Sequence, residues 1–129
     1  MACYNIYNKK AAFTSTMSLL ALGINHKTAP VNIREQLSFA PETVPSALKD
    51  ITAEEIVNES VILSTCNRTE IYCQLSCRAE QASESVIRWL KNHHNLQDTA
   101  ISDYLYLHTE REAVRHILRV ASGLDSLVL

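Results

Sequence analysis

Cys66 is the residue of this 129-residue chain best placed to act as a nucleophile. The apolar run Val61-Ile62-Leu63 gives way there to the polar turn Asn67-Arg68-Thr69, which puts the sulfur at a sheet edge, partly exposed. A free thiol titrates at about 8.5 and is mostly protonated at neutral pH, so a nucleophilic cysteine needs help toward its thiolate. Arg68, two residues on, brings a permanent positive charge. Lowering the thiol pKa by one unit takes about 1.4 kcal/mol of preferential stabilisation of the anion. The same pattern fits a buried structural cysteine, and spacing alone leaves both readings open.

Three other constellations have chemical potential and a plainer alternative. His116 lies beside the apolar stripe of a helix, as a core-margin imidazole or as an acid/base group that meets Cys66 across the fold. Arg111, Arg115 and Arg119 recur every four residues, as a solvated helix face or as a stripe that meets RNA phosphates. Cys73 and Cys77, followed by His93-His94, have finger-like spacing. On a strand, however, those two sulfurs stand about 13 Å apart at ~3.3 Å per residue. One zinc ion with bonds of about 2.3 Å does not span that, so no metal site is expected. The two glycines, Gly23 and Gly123, are far apart in sequence. A phosphate cradle needs clustered glycines for close backbone approach, so no nucleotide-binding fold of the usual kind is expected.

The elements that must position these groups follow from periodicity. Residues 18–26 read as a first strand, closing at Asn25-His26 and the Pro30 turn. Residues 42–51 read as a helix, with Pro41 and Pro45 near its first turn, where a missing N–H costs nothing. Residues 60–65 form a second strand and 70–77 a third, its Ile71, Cys73, Leu75 and Cys77 alternating with polar neighbours. The short link at 67–69 favours an antiparallel hairpin. A helix over 80–93 places Ala82, Val86, Trp89, Leu90 and His93 on one face. Residues 103–108 read as a fourth strand. Thr109 then has the pattern of an N-cap, with Glu112 completing a capping box. The final helix runs to about Ser122, buries Ala113, Ile117, Ala121 and Leu124 or their neighbours, and stops at Gly123. The order β-α-β-β-α-β-α predicts an α+β, ferredoxin-like sandwich with an antiparallel sheet.

Composition sets the class. Apolar residues make up 47% and charged residues 20%, ordinary for one globular domain. Net charge of −2 gives no global electrostatic reason to bind nucleic acid, so any RNA contact must be local. No apolar run approaches the roughly 18 residues needed to cross a bilayer, and no membrane association is expected. Four cysteines without a secretory signal point to reduced thiols and the cytoplasm. Residues 1–17 lack an acidic residue and a continuous apolar core, and read as a disordered leader or an organelle transit remnant. The domain proper is expected over 18–129, with Leu127-Val128-Leu129 opening a further helix that is cut off.

Three runs carry a resemblance: Gly23-Ile24-Asn25-His26-Lys27-Thr28-Ala29-Pro30, Ser64-Thr65-Cys66-Asn67-Arg68-Thr69-Glu70 and Arg119-Val120-Ala121-Ser122-Gly123-Leu124-Asp125-Ser126-Leu127. In this order they resemble glutamyl-tRNA reductase, over about 18–129, as its amino-terminal catalytic domain without the NADPH-binding domain. The resemblance implies NADPH-dependent reduction of glutamyl-tRNA(Glu) to glutamate-1-semialdehyde through a cysteine thioester, the first step of tetrapyrrole synthesis from glutamate. It implies that Cys66 is the nucleophile and that His116, close to the thiol, matters for activity. Thr65, Asn67, Arg68 and Ser126 fall on substrate-binding positions, with Arg68 the bidentate partner of the glutamate carboxylate. No cofactor-binding residue is assigned to this chain. The implied partners are glutamyl-tRNA(Glu), a second copy in a homodimer, and glutamate-1-semialdehyde aminomutase. The location is cytoplasmic, or plastid if the leader is a transit remnant. Two rivals stand beside this reading. One is a non-catalytic ferredoxin-like binding module, for RNA through Tyr72, Tyr104 and Tyr106; the other is an inactive gene fragment.

Overall fold

Strand β2, Ser18–Asn25, sorts its side chains by alternation. Leu20, Leu22 and Ile24 enter the main core, while Ala21, Gly23 and Asn25 point to the opposite face of the sheet. The structure is a computed structural model, which describes residues 18–126 and, in backbone only, 3–8. Five strands form one sheet in the order β1-β3-β4-β2-β5. They are β1 (Cys3–Asn8), β2, β3 (Val57–Ser64), β4 (Arg68–Leu75) and β5 (Tyr106–Thr109). Every neighbouring pair is antiparallel. Without β1, the chain from β2 onward has the ferredoxin-like order predicted from the sequence.

Helices α2 (Val44–Ile51) and α3 (Ala79–His93) cover one face. Their Ala47, Leu48, Ile51, Ala82, Val86 and Leu90 close the core against Leu20, Leu22, Ile62, Ile71 and Leu75. At about 25 cal/mol per Å2 of apolar surface, a fully buried leucine contributes on the order of 2 kcal/mol, so this face holds the fold. Helix α4 (Glu110–Ala121) lies on the other face.

Several local features were not expected from the sequence. A short helix, α1 (Val31–Leu37), follows Pro30; its two buried residues, Ile33 and Leu37, are too few to leave a stripe in the sequence. Ahead of β2, the backbone of β1 pairs with β3 from Cys3↔Ser64 to Asn8↔Glu59. Strand β5 is shorter and later than 103–108, because Ser102–Tyr104 forms a 3-10 turn.

The capping box at Thr109 is also absent. Thr109 is extended and makes no side-chain cap bond, since β5 runs directly into α4 through Glu110 at φ 52°. That left-handed backbone costs a non-glycine residue on the order of 1 kcal/mol. Ser18 ties Glu110 down by donating its hydroxyl to the carboxylate. Of the residues expected to be buried, Ala113 is buried and Ile117 half-buried, whereas Ala121 at the end of α4 and Leu124 beyond it are exposed. The helix does stop at Gly123, whose φ of 79° closes a Schellman motif through Leu124 N–H to Arg119 O and Gly123 N–H to Val120 O. Leu127-Val128-Leu129, read as the start of another helix, lie outside the described residues.

Candidate active site

The β3–β4 hairpin turns at Cys66 and Asn67. It is held by Thr65 N–H donating to Arg68 O at 2.7 Å and Asn67 N–H donating to Thr65 Oγ1 at 3.2 Å. Cys66 is exposed at the tip. Buried Ser64 anchors the strand below it, its Oγ accepting from Phe39 N–H at 2.9 Å. Arg34, in the last turn of α1, reaches the turn from outside, donating Nη1 to Asn67 Oδ1 at 2.9 Å and to Cys66 O at 3.3 Å.

The other half of the site is a charged cluster between the sheet and α4. Glu70 is fully buried on β4, in register with Gly23 on β2, which is in register with Tyr106 on β5. The glycine makes the cluster possible. A Cβ at Gly23 would stand 2.7 Å from Glu70 Cγ and 2.6 Å from Thr69 O, so any side chain there would displace Glu70. With that space open, Glu70 reaches across β2. Its Oε1 accepts from Tyr106 OH at 2.8 Å and Arg68 Nη1 at 2.5 Å, and its Oε2 from Tyr72 OH at 2.5 Å. Both oxygens lie 2.9 Å from His116 Nε2 on α4. Burial works to raise the Glu70 pKa, but the donors Tyr72, Arg68, His116 and Tyr106 outweigh it and hold the carboxyl below its usual range.

An ionised carboxylate only accepts, so His116 Nε2 carries the hydrogen and Nδ1 is left as the nitrogen that can take or give a proton. The His116 ring is flanked by His108, stacked at 4.5 Å between centroids, and by Tyr106 at 5.3 Å. Burial, then the neighbouring His116, holds the His108 pKa down.

Arg68 continues the cluster. Its Nη2 donates to Asp125 O at 2.5 Å and Oδ2 at 3.0 Å, and Lys27 Nζ donates to Asp125 Oδ1 at 3.3 Å. The guanidinium is thus a carboxylate site already filled by the chain's own carboxylates, with its side chain only 9% exposed. Its pKa is raised: burial opposes the charge, and the Glu70 carboxylate, with lesser help from Asp125, more than restores it.

The six residues picked from the sequence are therefore not all in contact. Thr65, Cys66, Asn67 and Arg68 share one turn, and Arg68 meets His116 through Glu70. His116 bonds Glu70, and among the described residues no hydrogen bond joins it to the Cys66 thiol. Ser126 is exposed beyond the α4 cap, its N–H bonding Gly123 O at 3.3 Å. Sequence reading missed Glu70, Tyr106, Arg34 and Asp125 as members. One signal was available: Arg68 and Glu70, two apart on a strand, must share a face.

The remaining candidates lie elsewhere. Cys73 is fully buried on β4, its thiol pushed up to about 12 by burial. His93 stacks with Phe39 and Trp89 at the far end of α3, and His94 meets Phe39 edge-on. Tyr72 and Tyr106 turn their hydroxyls to Glu70. Arg111, Arg115 and Arg119 line an open concavity on α4 with exposed Val114, Leu118 and Leu124. A dinucleotide does not fit the glycines present, since Gly23 is covered by Glu70 and Gly123 closes a helix. No helix is long and apolar enough to cross a membrane among the described residues.

The profile of the glutamyl-tRNAGlu reductase N-terminal domain matches residues 22–129. The solved glutamyl-tRNA reductase from Methanopyrus kandleri is 32% identical over 84% of this chain, with a TM-score of 0.61. This chain spans 23% of that protein's length. The chain belongs to the glutamyl-tRNA reductase family, within its amino-terminal domain.

Proposed function

We propose that this chain performs the acyl-transfer half of glutamyl-tRNA reduction, on the route to tetrapyrroles, with Cys66 as nucleophile. The Cys66 sulfur attacks the ester carbonyl joining glutamate to tRNA. A C–S bond forms, the C–O bond to the ribose breaks, and the thiol proton leaves with the ribose oxygen. A thioester carbonyl accepts hydride far better than an oxygen ester. The family's NADPH would supply that hydride, and no residue described here is assigned to it.

The observation that carries this reading is the carboxylate already seated on Arg68, two residues from an exposed thiol. A substrate glutamate carboxylate binds Arg68 by taking the place of Asp125, which is tethered only after the α4 cap, while Glu70 stays as the permanent counter-charge. His116, oriented by Glu70, serves as a proton shuttle through Nδ1, and Thr65, Asn67 and Ser126 complete the substrate contacts. Homodimer formation and an aminomutase partner remain part of the proposal for the family's full-length chains.

The test is single-turnover release of glutamate from glutamyl-tRNA by this chain, without NADPH. A thioester then hydrolyses slowly, and Cys66→Ser is expected to lower release on the order of 1,000-fold or more. Equal rates for wild type and Cys66→Ser would sink the proposal. Iodoacetamide should label Cys66 before half-buried Cys77 and buried Cys73.

A further inference from the structure

The motif that launches α1 explains why Arg34 reaches the nucleophile. Asn25 ends β2 in register with Arg68, beside the β3–β4 turn. Its Oδ1 accepts from Lys27 N–H at 2.9 Å and Thr28 N–H at 3.2 Å, and its own N–H donates to Thr28 Oγ1 at 3.1 Å. This side-chain-locked turn reverses the chain, and Pro30 sets it into α1. Ile33 and Leu37 pin the helix to the core. Arg34, between them, is thereby held over the hairpin tip.

The tip itself is held locally by one residue. Cys66 and Asn67 lie between the last ladder pair and solvent, and the bonds inside the turn all run through Thr65, from its N–H and Oγ1 to Arg68 O and from Asn67 N–H to its Oγ1. From outside, Arg34 grips the Cys66 carbonyl and the Asn67 amide oxygen with one nitrogen. The carbonyl bond fixes the peptide plane next to the sulfur-bearing Cα, and the amide bond fixes which way Asn67 faces its NH2 group.

We propose that Arg34 is a positioning residue for acyl transfer: it orients Cys66 and Asn67 toward the ester without touching it. This rests on Cys66 being the nucleophile. Misplacing a reacting atom by about 1 Å costs on the order of 100-fold in rate while leaving binding largely intact. Lysine keeps the charge, but its ammonium is a strongly hydrated point charge on a flexible stem, without the fixed direction of a planar guanidinium, so charge alone should not substitute.

The experiment compares wild type, Arg34→Gln, Arg34→Lys, Asn67→Ala and the Arg34→Gln/Asn67→Ala double variant of this chain. Acylation of Cys66 by glutamyl-tRNA is followed by intact mass at saturating and subsaturating substrate. Arg34→Gln should lower the saturated rate by about 10- to 100-fold with the half-saturating concentration changed less than about threefold. Arg34→Lys should recover little of it. The double variant should lose less than the product of the two single losses, because both cut the Arg34–Asn67 tie. A wild-type rate in Arg34→Gln, or multiplicative losses in the double variant, would overturn the proposal. If wild type itself does not acylate, the nucleophile reading fails and the tie is judged separately by hydrogen exchange. Arg34→Gln should then speed exchange of the Asn67 backbone amide at least about tenfold, and unchanged exchange would overturn it. Should Arg34→Gln not fold, Arg34→Met, which keeps the aliphatic stem and removes both bonds, supplies the same comparisons.

Discussion

Glu70 is the residue whose charge state holds the site together. It is a fully buried carboxylate with four donors, and one of them, Arg68, is itself almost buried. Removing one member of such a pair leaves the other uncompensated, at about 3–5 kcal/mol. Its pH dependence has a definite sign. The folded pKa of Glu70 lies below the unfolded value. Its stabilisation is therefore complete above the ordinary carboxylate pKa and is lost as pH falls through the folded one. Asp125 acts in the same direction: burial works to raise its pKa, and Arg68 and Lys27 together outweigh it, although solvent screens it more. Urea unfolding from pH 7 down to pH 3, run at about one-unit steps, should show wild type losing stability across the acid range. Glu70→Gln should begin about 3 kcal/mol less stable and lose less on acidification. Identical acid slopes in the two proteins would mean that Glu70 does not carry the linkage.

At the scale of elements, legibility followed periodicity. Strands β2 to β4 and helices α2 and α3 bury regular stripes, and the order they impose is the one observed. Helix α1 leaves no such stripe. The Thr109 capping signature was overridden because β5 enters α4 without a turn, and Ser18 holds the strained Glu110. The turn at Cys66 could be read from the sequence because its residues are contiguous. The Glu70 cluster could not, since it is assembled by register across β4, β2 and β5 and then closed by α4.

The two glycines, equivalent in the sequence, separate here. At Gly23 a Cβ meets backbone at 2.6 Å, so Gly23→Ala must part β2 from β4 and dislodge Glu70, costing about 3 kcal/mol or more. At Gly123 nothing lies within 4 Å, and Gly123→Ala bears only the penalty of φ 79°, about 1 kcal/mol. Thermal or urea unfolding should rank Gly23→Ala as clearly the worse. The reverse order would contradict the register of Gly23 beneath Glu70.

Across the whole molecule, the three sequence runs become one object. The first supplies Gly23, the locked turn at Asn25 and Lys27; the second supplies Cys66, Arg68 and Glu70; the third supplies Asp125 beyond the α4 cap. Lys27, Asp125, Arg68 and Glu70 form a continuous chain of alternating charge from solvent to the fully buried interior. This arrangement spends both glycines on the site's own architecture. A bound dinucleotide needs backbone amides open to its pyrophosphate, usually at a glycine-rich turn entering a helix. The helices here are entered from Pro30, Thr43, Arg78 and Thr109, with no glycine at any of these positions. Acyl transfer and hydride transfer are therefore expected to separate in this chain. Isothermal titration with NADPH should give no saturable heat up to about 1 mM, a concentration at which even a binding energy of about 4 kcal/mol would register. Glutamyl-tRNA should still acylate Cys66 in the same preparation. Saturable micromolar NADPH binding would overturn this separation and require a phosphate site built without glycine.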